Sequence, residues 1–88
     1  MLTNAQTAKR ETNNSSVEEE IRLAWLDVYS EGSVNEWNDT RRTQELQSKL
    51  RVSDSGATAT LEDDVITINF KEMEFILNIS SGILELVQ

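Results

Sequence analysis

The spacing of the apolar residues changes near Leu50, and that change predicts an α+β fold. Before Leu50 apolar positions recur at helical intervals; after it they alternate. The glycines make a second observation: Gly32, Gly56 and Gly82 all fall at expected junctions and none inside an element. The architecture expected is one long and one shorter N-terminal helix packed on one face of a four-stranded antiparallel β-meander. Eighty-eight residues suit one domain, expected over residues 17–88, preceded by a tail over residues 1–16.

The tail, MLTNAQTAKRETNNSS, is rich in Asn, Thr and Ser and has too little apolar surface to offset the entropy of ordering. It lacks the apolar run of a signal peptide, and no stretch of the chain approaches a membrane span, so a cytoplasmic location is the expectation.

The first helix is expected from Val17 to Ser30. Ser15 or Ser16 can cap it, and Glu18, Glu19 and Glu20 match the positive end of its dipole. Gly32 stands where a C′ glycine belongs. At 100° per residue Val17, Ile21, Ala24, Trp25 and Val28 form one stripe with Tyr29 at its margin, and that stripe is the expected core face. Leu23 and Leu26 fall on the opposite side, among Glu19 and Asp27. Ser33-Val34-Asn35-Glu36 matches a capping box for a second helix reaching about Lys49. The polar run Asn38–Gln44 can hold a break there, with Asp39 as a new cap.

Leu50-Arg51-Val52 reads as a helix end or a short strand, and Ser53-Asp54-Ser55-Gly56 as a turn. Four short runs follow: Ala57–Leu61, Val65–Phe70, Glu74–Ile79 and Ile83–Val87. Three-residue connectors join them, the length of hairpin loops. Ala59, Leu61, Ile66, Ile68, Phe70, Phe75, Leu77, Ile79, Leu84 and Leu86 share the face expected against the helices. The reverse face, with Thr58, Thr60, Val65, Thr67, Asn69, Ile76, Asn78, Ile83, Glu85 and Val87, is neither a second core nor a purely solvated surface.

Composition narrows the chemistry. The chain has no His, Cys or Pro, so the usual neutral-pH acid/base, the thiolate nucleophile and the strongest transition-metal ligands are missing. No phosphate loop or nucleophile elbow is present, and two Trp and one Tyr leave little from which to line a glycosidase cleft. The acidic triplets Glu18-Glu19-Glu20 and Glu62-Asp63-Asp64 lack calcium-loop spacing. No catalytic residue, metal or cofactor is expected, and the chain reads as non-enzymatic.

Net charge is −8, unevenly spread. Residues 17–32 carry −4 and residues 53–88 carry −6, while residues 1–16 and 33–52 carry +1 each. Such a field repels nucleic acid and anionic membranes and attracts basic protein surfaces. The expected partner is therefore another protein with a basic surface, met directly rather than through nucleic acid or a membrane. The residues expected to touch it are Glu19, Leu23, Leu26, Asp27, Trp37, Glu62, Asp63, Asp64, Ile76, Ile83, Glu85 and Val87: acidic positions, exposed apolar positions, and the last strand, which lacks a guarding Lys or Pro. The function expected is an inhibitor or regulator that occupies a basic, nucleic-acid-binding type of surface. In being short, acidic and without catalytic residues, the chain resembles small phage or mobile-element antagonists of host defence. The alternative is a structural subunit or adaptor that forms a homodimer or hetero-oligomer through the sheet edge.

Overall fold

The computed structural model describes the backbone of residues 2–87 and the side chains of residues 16–87. The tail expected over residues 1–16 falls almost wholly outside the described side chains. Two helices, α1 (Leu2–Asn35) and α2 (Asp39–Leu50), precede four strands: β1 (Thr58–Glu62), β2 (Val65–Phe70), β3 (Met73–Asn78) and β4 (Leu84–Leu86). The strands form one antiparallel sheet in the order β1-β2-β3-β4, the meander expected from the alternation.

Helix α1 buries the expected stripe. Ile21, Trp25 and Val28 are core residues, Val17 and Ala24 pack partly buried against them, and Tyr29 remains at the margin. The helix end differs from expectation. Gly32 is an interior, buried position one turn beyond Val28 rather than the C′ residue. Glu36 instead takes the left-handed conformation, with φ 57°. The Trp37 N–H then donates to the Gly32 carbonyl at 2.9 Å, the long closing bond of a Schellman turn. The capping box at Ser33 does not form, because Ser33 is still inside α1. The absent side chain at Gly32 matters for packing: a Cβ there would lie 3.1 Å from the Trp37 ring and 3.2 Å from Arg42 Nε.

A break is present, but it lies at Glu36-Trp37-Asn38, at the start of the polar run rather than inside it, and Asn38 rather than Asp39 is the cap. Its side-chain oxygen accepts from the Arg41 N–H at 2.8 Å. Helix α2 then buries Thr43, Leu46 and Leu50, and the buried Thr43 hydroxyl donates to the Asp39 carbonyl. Leu50-Arg51-Val52 is the helix end, not a strand. In the turn that follows, the Asp54 carboxylate accepts from the N–H of Lys71 (2.7 Å) and of Gly56 (3.1 Å).

The first two hairpin turns are tighter than expected. Glu62 pairs with Val65 and Phe70 with Met73, leaving two-residue connections, Asp63-Asp64 and Lys71-Glu72. Reversing the chain in two residues requires left-handed backbone. Asp63 (φ 59°), Lys71 (52°) and Glu72 (64°) adopt it without a glycine. The third connection is longer and uses Gly82 at φ 75°.

The core is one cluster. Ile66, Ile68 and Phe70 of β2, Phe75 and Leu77 of β3, and Leu84 of β4 join Ile21, Trp25 and Val28 of α1, Leu46 and Leu50 of α2, and Ala57. Register places Ile66 opposite Leu77, Ile68 opposite Phe75 and Leu77 opposite Leu84, so every buried strand residue lies on the same face of the sheet. Leu86 shares that face but is 43% exposed, because β4 ends the sheet. No helix among the described residues is long and apolar enough to cross a membrane.

Candidate protein-binding surface

The cations of the described residues are gathered on the helical side and at one turn. Arg22 pairs with Glu18 (3.6 Å), Arg41 with Glu45 (3.2 Å) and Arg42 with Asp39 (3.4 Å). Lys49 on α2 reaches across to Asp27 (3.1 Å) and Glu31 (3.4 Å) of α1. The hydrogen bond to Asp27, chiefly, holds the Lys49 ammonium above its ordinary value; burial opposes it, and the bond to Glu31 adds a lesser upward effect. Lys71 in the β2–β3 turn meets Glu20 at 3.0 Å, and the Ser53 hydroxyl donates to the same carboxylate at 2.6 Å. Those two bonds, Ser53 first, hold Glu20 below the ordinary carboxylate value. Arg51 donates to the Ala57 carbonyl.

The outer sheet face is the opposite case. No residue of β1 to β4 is a Lys or Arg. One cross-strand row of that face runs Thr60, Thr67, Ile76 and Glu85; the neighbouring rows carry Glu62, Val65 and Asn78, and Thr58, Asn69 and Glu74. Glu62, Glu74 and Glu85 have no ion-pair partner among the described residues. Ile76, Val65 and Thr67 between them are only partly buried. The result is a half-apolar acidic surface with no cation of its own.

The twelve expected contact residues divide into groups. Glu62, Ile76 and Glu85 share the outer face: Ile76 is directly opposite Glu85, while Glu62 lies on the far edge strand β1, in the neighbouring row. Asp63 and Asp64 form the rim at the β1–β2 turn. The Asp64 carbonyl accepts from the Ile79 N–H (2.9 Å) and its carboxylate from the Ser80 hydroxyl (3.4 Å), which ties the turn to the β3–β4 loop. Ile83 and Val87 flank β4 and are exposed. Glu19, Leu23, Leu26 and Asp27 lie apart on α1, all exposed.

Asp27 is already bound to Lys49, and Leu23 lines a shallow groove shared with Lys49 and Val52. Trp37 is half-buried, seated on Gly32, with the Arg41 guanidinium 4.6 Å from its ring. Of the four expected contact residues on α1, Leu26 alone lies on the β4 side. With Ile21, Arg22, Trp25, Leu77, Gly82 and Leu84 it lines an apolar cavity of about 110 Å³.

Two features were missed by the sequence reading. Glu74 belongs to the outer face by the alternation that places Ile76 and Asn78 there, a signal present in the sequence. The clamp of Arg42 over Tyr29 at 4.6 Å depends on two helices meeting and has no local signal. Among the described residues, no three carboxylates converge on a point that could hold a metal ion. No protein-family model, curated protein or solved structure matches the chain.

Proposed function

We propose that this chain is a non-catalytic protein-binding module whose outer sheet face docks on a basic protein surface and so inhibits or regulates that partner. The observation that carries this reading is the separation of charge. The described cations are occupied on the helical side and at the β2–β3 turn, while Glu62, Glu74 and Glu85, around Ile76 and Val65, have no ion-pair partner among the described residues. Unpaired carboxylates around a partly apolar centre suit a partner that supplies Lys or Arg at the rim and an apolar contact in the middle.

The test is affinity capture from the native host's extract on the immobilised full chain, at low salt and at about 1 M salt, where the screening length falls to about 3 Å. A basic protein retained at low salt and released at high salt is the expected result. Retention of proteins that are not basic, or retention indifferent to salt, refutes the reading.

A further inference from the structure

Strand β4 is an edge of the sheet, and its outward backbone is open among the described residues. The Asn78 N–H donates to the Ile83 carbonyl (2.9 Å) and the Val87 N–H to the Glu74 carbonyl (2.7 Å), so residues 83 and 87 bond inward to β3. In an antiparallel ladder successive residues bond to alternate sides. Leu84 and Leu86 therefore turn their N–H and C=O groups away from the sheet, four backbone groups along one edge.

The two sides of that edge differ. On the core side lies the apolar cavity of about 110 Å³ between α1 and β4, with Leu26 63% exposed on its wall. An apolar cavity of about 150 Å³ accepts a benzene, so this one takes a single aliphatic side chain. On the outer side lie Glu85 and, one register step away, Glu74, with no cation on any strand.

We infer that β4 accepts an extended segment of a partner chain as a fifth strand, and that the segment alternates apolar and basic residues. The inference rests on the acidic-face reading and deepens it by specifying the form of the partner. Successive strand residues face opposite sides. Apolar positions of the added strand meet the cavity and Leu26, and basic positions meet Glu85 and Glu74. A second copy is a poor occupant: two β4 strands paired antiparallel about Glu85 set like charges directly opposite, which destabilises the pair. No strand among the described residues offers the basic positions.

The probe is a blocked synthetic peptide of alternating valine and lysine, titrated into the isotope-labelled full chain while backbone amide shifts are followed. The expected result is that the largest shifts fall on Leu84 and Leu86. The same peptide N-methylated at alternate residues binds at least about tenfold more weakly, and a valine–glutamate peptide does not bind. Leu86→Pro removes one outward N–H and leaves the bonds to β3, so it weakens the valine–lysine peptide while the thermal transition is retained. Equal binding of the N-methylated peptide, or shifts scattered over α1 and the turns, overturns strand addition and leaves the acidic-face reading standing. Undiminished binding to Glu74→Gln/Glu85→Gln, with N-methylation still harmful, overturns the requirement for basic residues and the acidic-face reading with it. Absence of binding by the valine–lysine peptide overturns the inference.

Discussion

Glu72→Gly tests whether the β2–β3 turn stores backbone strain. Lys71 and Glu72 both adopt positive φ, 52° and 64°. A left-handed conformation costs a residue with a Cβ about 1–2 kcal/mol, and glycine escapes that cost. Against this, glycine gains freedom in the unfolded chain worth about 0.5–1 kcal/mol. The difference leaves a net stabilisation of about 0.5–1 kcal/mol. For a domain of this size that raises Tm by roughly 2–8 °C. The Glu72 side chain makes no hydrogen bond or ion pair among the described residues, so little is lost with it. Thermal unfolding followed by circular dichroism, beside Glu72→Ala, is the assay. Alanine removes the charge but keeps the Cβ, so it should leave Tm nearly unchanged. If alanine stabilises as much as glycine, the gain comes from relieving negative charge and the strain argument is wrong.

Three further outcomes follow from the packing and the charges. Phe75→Ala removes a ring that is 1% exposed at the centre of the cluster and should cost about 3–5 kcal/mol by urea unfolding; a loss below 1 kcal/mol would contradict its central position. Gly32→Ala gains about 1 kcal/mol of helix propensity but puts a Cβ 3.1–3.2 Å from Trp37 and from Arg42 Nε, itself buried without a hydrogen-bond partner among the described residues, so a net loss of about 1 kcal/mol is expected from equilibrium unfolding. Glu20 and Asp54 are held below their ordinary values of 4.5 and 3.8, chiefly by the Ser53 hydroxyl and the Lys71 N–H respectively. Their stabilisation is therefore present above those values and is lost as pH falls through the lower folded values; the urea midpoint should drop on acidification, less steeply in Glu20→Gln.

Much of the fold was legible because local and tertiary signals agree. The stripe of Ile21, Trp25 and Val28 and the alternation of Ile66, Ile68 and Phe70 each name a buried face without reference to the rest of the chain. The helix ends were not legible in the same way. Gly32 has the chemistry of a terminator, yet it is retained inside α1 because Trp37 packs where a side chain would stand, a contact made only after the chain reverses. The left-handed turns at Asp63 and Lys71-Glu72 lack the glycine that announces such turns; pairing of the flanking strands imposes them.

For the surface, alternation placed Ile76 and Glu85 on the outer face. The pairing of Asp27 with Lys49 was hidden because the two residues are 22 positions apart on different helices. That pairing moves the unneutralised charge away from this part of α1 and toward the sheet.

The decisive comparison uses two triple variants of equal charge. Glu62→Gln/Glu74→Gln/Glu85→Gln neutralises the outer sheet face; Glu19→Gln/Glu36→Gln/Glu72→Gln neutralises three exposed carboxylates off that face that also have no ion-pair partner among the described residues. Each set removes three carboxylates and takes the net charge from −8 to −5. Proteins retained from host extract at low salt are quantified on columns of the parent chain and of each variant. Loss of the basic partner from the outer-face variant, with retention by the other, is the predicted result. Equal loss from both would show that net charge alone binds the partner and would contradict a docking surface on the sheet.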